Sequence, residues 1–230
     1  MTALGVLLVV VLPVPSLGQQ VLFEDHFPLP PGDLSQWTIV HGSAVVESPG
    51  VVHLGYPVYP GFIRTNASFS YVGTELEFSA DMLTPDNGPD YSRTYLNLVY
   101  PQFDNRMLAG LTVVGSASGQ NPNTASCTIG LKTTGGGYMM EGSGYLPLPN
   151  TDGWHNGRVR IRADGRAEFY FDSVWIWTSP DPVFPDYGQG SLMTGGWDNI
   201  YDNVLVTTPE PASLSLLALG GLAVLRRKHQ

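Results

Sequence analysis

The chain has 230 residues and a formal net charge of −9 at pH 7. Hydrophobic residues make up 43% of it and charged residues only 13%, a composition that allows one sizeable folded core. The acidic balance argues against nucleic acid and anionic lipid as partners, because both are themselves negatively charged.

Residues 1–18 have the pattern of a secretory signal peptide. An apolar run is followed by two prolines, which would end a helix, and by a Ser-Leu-Gly sequence that suits cleavage before Gln19. The basic residue that usually precedes such a run is missing. The pattern predicts export, and the alternative is a buried N-terminal element.

Residues 19–208 are predicted to form a single all-β domain. Polar and apolar residues alternate over short stretches such as Glu75–Ala80 and Arg158–Ala163, and no stretch shows sustained helical periodicity. Asp164-Gly165 after one of these stretches predicts a hairpin turn. Many short strands separated by Gly, Pro, Asn and Asp favour a β-sandwich.

Cys127 is the only cysteine. An intrachain disulfide and a cysteine-based zinc site are therefore excluded. The residue stands in the strand-like run Ser126–Ile129 and is expected to be a small, buried apolar side chain. An intermolecular disulfide is the alternative.

Three segments of this domain follow one another in an order that is known from a family of β-sandwiches. They are the opening Leu22–Phe27, the hairpin region Gly153–Asp172 and the closing Tyr201–Val206. Their pattern resembles concanavalin A-like jelly rolls, which include laminin-G-like domains and laminarinase-type glycoside hydrolases. The resemblance implies a jelly-roll sandwich and says little about function, because one fold supports many activities.

In these families a structural calcium often joins the first and last strands. The resemblance therefore implies Glu24 and Asp25 in the opening segment and Asp202 in the closing segment as ligands of Ca²⁺. Calcium prefers several hard oxygen ligands, which carboxylates and carbonyls supply. The alternative is that Asp202 and its neighbours only cap a turn and a strand end.

The laminarinase-type enzymes carry their catalytic acids on one strand, in a Glu-x-Asp-x-x-Glu or similar spacing. The closest arrangement here is Glu75, Glu77 and Asp81, which would share one face of a strand. Their spacing departs from the family pattern, and a third glutamate is not in place. A solvated strand face is therefore the main expectation, and a catalytic pair is the alternative.

Flat aromatic rings are the side chains with which a sandwich would stack on sugars. The candidates are Trp177, Tyr187 and Trp197, around the Pro180–Gly190 loop. Trp175 and Trp177 are expected to share one face of their strand, and the alternative is that both belong to the core.

Residues 209–230 combine three elements at the end of the chain. In order, they are Pro209-Glu210-Pro211, the apolar run Ala212–Leu225, and the basic residues Arg226, Arg227 and Lys228. As a helix, the apolar run would span about 21 Å, which is short of the roughly 30 Å hydrocarbon core of a bilayer. The basic residues would stay on the cytoplasmic side.

This tail resembles the PEP-CTERM sorting signal of exported proteins in Gram-negative bacteria that make extracellular polysaccharide. The resemblance implies an exosortase-type membrane protease as partner, transient insertion into the inner membrane, and a final location at the cell surface or outside the cell. An ordinary single-pass anchor is the alternative.

Together these features predict a lectin-like, non-catalytic carbohydrate-binding protein of the cell surface or extracellular matrix, with extracellular polysaccharide as its ligand. Two alternatives stay open. One is a divergent glycoside hydrolase or lyase, and the other is a purely structural component of an exopolysaccharide or biofilm.

Overall fold

The structure is a computed structural model that describes residues 19–27, 34–47, 50–55, 61–84, 93–100, 106–116, 122–132, 138–183, 189–196 and 199–209. The described residues form 16 β-strands, and they include no helix long and apolar enough to cross a membrane. Val21–Thr208 form one compact unit. The predicted signal peptide and the tail after Pro209 lie outside the described residues.

Eight strands form the first sheet, called sheet 1, which contains both the first and the last strand. They are β1 (Gln19–Asp25), β3 (Ala44–Glu47), β4 (Val51–Leu54), β7 (Leu76–Thr84), β12 (Gly153–Ile161), β13 (Ala167–Phe171), β14 (Val174–Thr178) and β16 (Asn199–Pro209). Their order is β14-β13-β12-β7-β16-β4-β3, and β1 also pairs with β16.

The other eight strands form sheet 2. They are β2 (Trp37–His41), β5 (Gly61–Thr65), β6 (Phe69–Ser70), β8 (Arg93–Tyr100), β9 (Arg106–Val114), β10 (Thr124–Lys132), β11 (Tyr138–Pro147) and β15 (Gln189–Gly196). Their order is β11-β10-β9-β8-β15-β5-β2, and β6 also pairs with β15. The strand pairs within both sheets are antiparallel.

Alternation along each strand explains why the two sheets pack face to face. In β7, Leu76, Phe78 and Met82 are at most 1% exposed, whereas Glu77 and Asp81 between them are only partly buried. Successive side chains of a strand point to opposite faces, so one face enters the core and the other meets water. The predicted all-β jelly-roll sandwich is confirmed.

The hairpin from β12 to β13 also confirms its prediction. Gly165 has a φ of 82°, and its N–H donates to the carbonyl of Arg162 at 2.8 Å. The next turn, from β13 to β14, places Asp172 and Ser173 at φ values of 47° and 65°. Two successive left-handed residues are the geometry of a tight hairpin turn of type I′.

One expectation about this hairpin is wrong. Trp175 lies opposite Tyr170 and Trp177 lies opposite Phe169, because the register shifts by one residue between these pairs. The extra residue of such a bulge reverses the alternation. Trp175 is therefore 55% exposed, while Trp177 points between the sheets.

Polar groups also join the two sheets through the core. The buried hydroxyl of Tyr201, in β16, accepts the N–H groups of Tyr95 and Gly195, both at 3.1 Å. The hydroxyl of Thr94 donates to Asn199 Oδ1 at 3.0 Å. Cys127 is fully buried and free, as predicted.

Candidate functional site

Two of the predicted catalytic carboxylates lie beside arginines of β12. Arg160 Nη2 donates to Glu75 Oε2 at 2.5 Å, and Arg158 Nη1 lies 3.8 Å from Glu77 Oε1. The hydrogen bond to Glu75 is the main reason that the pKa of Arg160 is raised. Each glutamate therefore acts as a counter-ion on the outer face of sheet 1.

The third carboxylate, Asp81, accepts hydrogen bonds on both oxygens. Asn156 Nδ2 donates to Oδ1 at 2.9 Å, and Asn203 Nδ2 donates to Oδ2 at 2.7 Å. Asp81 is also four strand residues from Glu77, about 13 Å along the strand. Glycosidases of both stereochemical classes keep their two catalytic carboxyl groups within about 10 Å of each other. The spacing of Glu77 and Asp81 therefore does not support catalysis by this pair, which stays an alternative.

Asp25, one of the predicted calcium ligands, is buried and is used inside the fold. Its Oδ1 accepts the N–H of Phe27 at 2.8 Å, and its Oδ2 accepts Nε1–H of Trp37 at 2.7 Å. Trp37 begins β2 of sheet 2, whereas Asp25 ends β1 of sheet 1. The carboxylate thus ties the two sheets together at one end.

In addition to the pairing of the first and last strands, His26 links a side chain of each strand. Its Nε2 lies 2.8 Å from Glu24 Oε1, and its Nδ1 lies 2.6 Å from Asn203 Oδ1. Both hydrogen bonds, that to Glu24 first, raise the pKa of His26. Asp202 Oδ1 accepts the adjacent N–H of Asn203.

These contacts decide how well the predicted ligands fit a calcium ion. Both oxygens of Asp25 are occupied, and one oxygen each of Glu24 and Asp202 is occupied. Within the described part of the chain, no three His, Cys, Asp or Glu side chains are grouped as a metal site. The described residues therefore do not fit the ion, and calcium stays a prediction that a melting temperature with and without EDTA would check.

Of the predicted sugar-binding aromatics, only Trp177 lies in the described part. Its ring stacks on Phe169, with centroids 5.9 Å apart and an angle of 27° between planes. Gly144 of β11 packs directly against its Cβ. Trp177 is thus held between the sheets, and its role in sugar binding stays a prediction. Tyr187 and Trp197 lie outside the described residues.

The outer face of sheet 2 brings together residues that are far apart in sequence. One row of cross-strand neighbours runs from β2 to β11 through Thr38, Arg64, Met193, Asn97, Gly110, Thr128 and Ser143. We call it the Asn97 row. Across six spacings between strands, it spans about 29 Å.

The row beside it carries the aromatic rings of the same face. It consists of His41, Phe62, Gly195, Tyr95, Thr112, Ser126 and Tyr145. We call it the Tyr95 row. The rings of Phe62 and Tyr95 lie 5.8 Å apart, and Tyr145 is 54% exposed. The two rows, together called the sheet 2 face, contain hydroxyl, amide and aromatic groups and no carboxylate.

Asn97 stands at the centre of its row between Met193 and Gly110. It is only 3% exposed, and its Oδ1 accepts no hydrogen bond among the described residues. Buried polar atoms are nearly always paired, so an orphan acceptor calls for an explanation. The atom is shielded from solvent, and no described residue accounts for its lack of a partner.

Sequence reasoning missed this face. Alternation in β8 and β11 would have placed Asn97 and Tyr145 opposite the apolar side chains of their strands. That signal assigns a face to each strand separately. It does not show which strands are neighbours.

The comparisons with known proteins agree with the fold and with the tail. Residues 207–228 match the PEP-CTERM protein-sorting motif, which confirms the tail resemblance. No curated protein gives a significant match to the sequence.

Several solved structures share the sandwich at low sequence identity. The endo-1,3-β-glucanase of Streptomyces sioyaensis matches with a TM-score of 0.60 and 15% identity, covering 87% of this chain and 100% of its own. The metal-free carbohydrate recognition domain of Emp46p matches with a TM-score of 0.58 and 9% identity, covering 80% and 93%.

A third match is the κ-carrageenase of Pseudoalteromonas carrageenovora, in complex with an oligotetrasaccharide of κ-carrageenan. It has a TM-score of 0.56 and 12% identity and covers 85% of this chain and 98% of its own. Likenesses at such identities establish the fold alone. The chain therefore carries a PEP-CTERM sorting motif, which indicates an exported protein, after a domain with the jelly-roll fold.

Proposed function

We propose that this protein is a lectin-like, non-catalytic carbohydrate-binding protein of the cell surface or extracellular matrix, and that it binds polysaccharide along the sheet 2 face. The observation that carries the proposal is the pair of registered rows, which set hydroxyl groups beside the rings of Phe62, Tyr95 and Tyr145. Sugar sites combine aromatic surfaces with a few fixed polar groups, and this face supplies both.

The comparisons support a saccharide as the ligand class. One neighbouring structure is a carbohydrate recognition domain, and two are enzymes named for polysaccharide substrates. The carboxylates described on sheet 1 favour binding over hydrolysis, because Glu75 faces Arg160 and Asp81 is held by two amides.

An exposed ring on each sheet allows a matched binding experiment. The full chain, purified in mild detergent, would be screened on a glycan array, with release of reducing ends assayed in parallel. We expect binding without release. Tyr145→Ala should weaken binding by about tenfold, the loss of roughly 1.4 kcal/mol that one stacked ring supplies.

The control is Trp175→Ala, which removes an equally exposed ring from the outer face of sheet 1. Binding by this variant should equal that of the wild type. Equal losses in both variants would contradict the assignment to sheet 2. If the protein binds no glycan, but deleting it still disturbs the extracellular matrix, a purely structural component would be favoured.

A divergent glycoside hydrolase or lyase is the second candidate, because two of the neighbouring structures are polysaccharide-degrading enzymes. Release of reducing ends that is abolished in Glu77→Gln would favour it. The same result would overturn a non-catalytic role.

The tail defines how the protein reaches its site of action. We propose that an exosortase-type membrane protease acts near Pro209-Glu210-Pro211 after transient insertion of the apolar run in the inner membrane, with Arg226 and Arg227 on the cytoplasmic side. The motif match at 207–228 supports this. Mass spectrometry of the surface-exposed protein should find a C-terminus close to Glu210, and Glu210→Ala should leave uncut protein in the membrane fraction.

A further inference from the structure

Phe62 and Tyr95 form one aromatic patch on the sheet 2 face. Gly195 of β15 lies between them in the Tyr95 row. A Cβ on Gly195 would overlap the ring of Phe62, so this ring lies over β15, on the side of Tyr95. The two ring centroids are 5.8 Å apart, and both side chains are partly exposed. The missing side chain of Gly195 thus lets two rings, from β5 and β8, present one apolar surface.

The ring of Tyr145 stands in the same row at the edge of sheet 2. Tyr95 pairs with Thr112 of β9, Thr112 pairs with Ser126 of β10, and Ser126 pairs with Tyr145 of β11. Three spacings between strands place the two tyrosines about 14 Å apart. The side chains of Thr112 and Ser126 between them are partly exposed. The row therefore has an aromatic anchor at each end of a short stretch of hydroxyl groups.

This part of the row is uncharged, although the protein is acidic. From the Phe62 position to the Tyr145 position, the row contains rings, hydroxyl groups and one glycine, none of which is charged at neutral pH. Arg64, in the neighbouring Asn97 row, already has an interaction partner. The formal net charge of −9 repels polyanions. A neutral ligand avoids this repulsion.

We propose that the ligand of the sheet 2 face is a neutral polysaccharide that lies along the Tyr95 row, across the strands, with one anchor at the Phe62–Tyr95 patch and the other at Tyr145. This inference rests on the proposed function of the same face. Sugar rings have an apolar face of C–H groups, which stacks on aromatic rings. Their hydroxyl groups form hydrogen bonds with Thr112 and Ser126. A chain uses both anchors when it is long enough to span about 14 Å.

The first experiment compares neutral with anionic chains. The full chain, purified in mild detergent, would be run by affinity electrophoresis in gels that contain laminarin, dextran, alginate or κ-carrageenan, with EDTA present so that calcium bridging does not contribute. We expect a neutral chain to retard the protein and the anionic chains not to. Added NaCl should leave the binding unchanged, because salt weakens attraction between charges and this binding involves none.

The second experiment varies the length of the ligand. Oligosaccharides of increasing length, cut from the neutral chain that binds, would be titrated by calorimetry. The affinity of the wild type should rise by about tenfold at the length that first reaches both anchors, because the second ring then contacts a molecule that is already bound. Tyr145→Ala should abolish this rise and change the binding of short oligosaccharides little, because the Phe62–Tyr95 patch still holds them.

Two further variants assign the rise to the aromatic rings. Tyr145→Phe is the matched control, which keeps the ring and should retain the rise. Phe62→Leu removes the flat ring of the other anchor and should abolish it. The Tyr145 variants test the inference on their own, because this side chain is 54% exposed and its loss leaves the core intact.

The outcomes separate this inference from the proposed function. Equal affinity for all lengths in the wild type, or a rise that survives Tyr145→Ala, would overturn the two anchors. Anionic chains that bind as strongly as neutral ones, or more strongly, would overturn the neutral ligand. Each of these results leaves the lectin-like role standing, whereas binding of neither class would contradict the proposed function itself.

Discussion

Tyr201 joins the two sheets through one buried hydroxyl. The hydroxyl forms hydrogen bonds with the backbone N–H and carbonyl groups of Tyr95 and Gly195 in sheet 2. Burial of the side chain raises the pKa of the phenol. The ring itself belongs to the core. The residue thus contributes apolar packing and a fixed polar contact between β16 and the two strands β8 and β15.

Tyr201→Phe should destabilise the domain by about 1–3 kcal/mol, because two buried N–H groups lose their hydroxyl acceptor while the ring stays in place. Urea unfolding followed by tryptophan fluorescence would measure the change. Tyr145→Phe is the control, since its exposed hydroxyl can be replaced by water. A difference below about 0.5 kcal/mol between the two variants would contradict the proposed role.

Cys127 is shielded from reagents by the sandwich. Burial raises the pKa of its thiol to about 12, so almost none of it is thiolate at pH 8, and the thiolate is the reactive form. We expect the folded protein to resist a thiol-specific reagent at pH 8 and the unfolded protein to react fully. Rapid labelling of the folded protein, or a dimer that reducing agent dissolves, would show that the thiol is accessible.

His26 makes stability depend on pH. A protonated ring donates from both nitrogens, to Glu24 and to Asn203, and Asp202 adds attraction. Because the folded-state pKa is raised, this contribution is fully present below the unfolded pKa near 6.5 and is lost as pH rises through the folded pKa. The side chain is 57% exposed, so solvent screening keeps the effect modest.

The melting temperature of the wild type should therefore exceed that of His26→Gln by more at about pH 6 than at about pH 9. Calorimetry with EDTA present would measure both proteins across this range. Gln keeps hydrogen-bonding ability but does not titrate, which makes it the proper comparison. A gap that stays constant or widens with rising pH would rule out this role of the imidazole.

At the scale of elements, β14 and β11 can pack closely across the sandwich because Gly144 has no side chain. A Cβ on Gly144 would overlap the Cβ of Trp177 and would lie 2.8 Å from Cys127 Sγ. Because a Cβ follows its backbone, Trp177 cannot move aside without shifting β14. Glycine at this position therefore lets the edge strands of the two sheets approach.

Gly144→Ala should cost about 1–3 kcal/mol through overpacking, measured as a lower urea midpoint. Ser143→Ala is the matched control, because the neighbouring side chain points out of the same strand and a surface change is worth less than about 0.5 kcal/mol. Unchanged stability of Gly144→Ala would mean that the two edge strands are more loosely packed than the structure shows.

Bulges decide which residues the elements present to water. In β16 the register shifts between Asp202 and Leu205, and Asn203 takes a φ of 49°. This left-handed conformation, which Asn tolerates better than most residues, lets its amide reach both His26 and Asp81. In β14 a similar shift turns Trp175 outward.

At the scale of the whole molecule, the two outer faces have different chemistry. Sheet 1 carries paired charges and the junction of the first and last strands, so its face serves stability. Sheet 2 carries the Asn97 row and the Tyr95 row, which are mostly hydroxyl, amide and aromatic groups.

Local patterns were sufficient for several features of this protein. Alternation in Glu75–Ala80 and Arg158–Ala163 and the turn at Asp164-Gly165 predicted real strands and a real hairpin, because burial of one face imposes a period of two on the chain itself. The tail could also be identified from local sequence. Its Pro-Glu-Pro, apolar and basic elements are contiguous in the chain, so no tertiary structure is needed to recognise them.

Other features depended on pairing between distant strands. The sheet 2 face unites Arg64, Asn97, Ser143 and Met193 only through the registers of separate strands. A single-residue bulge, invisible to alternation, separated Trp175 from Trp177. Register and bulges are set by the combined packing of all strands. The tertiary structure alone therefore decided which side chains share the sheet 2 face, whereas local sequence patterns were enough to predict a β-sandwich followed by a sorting tail.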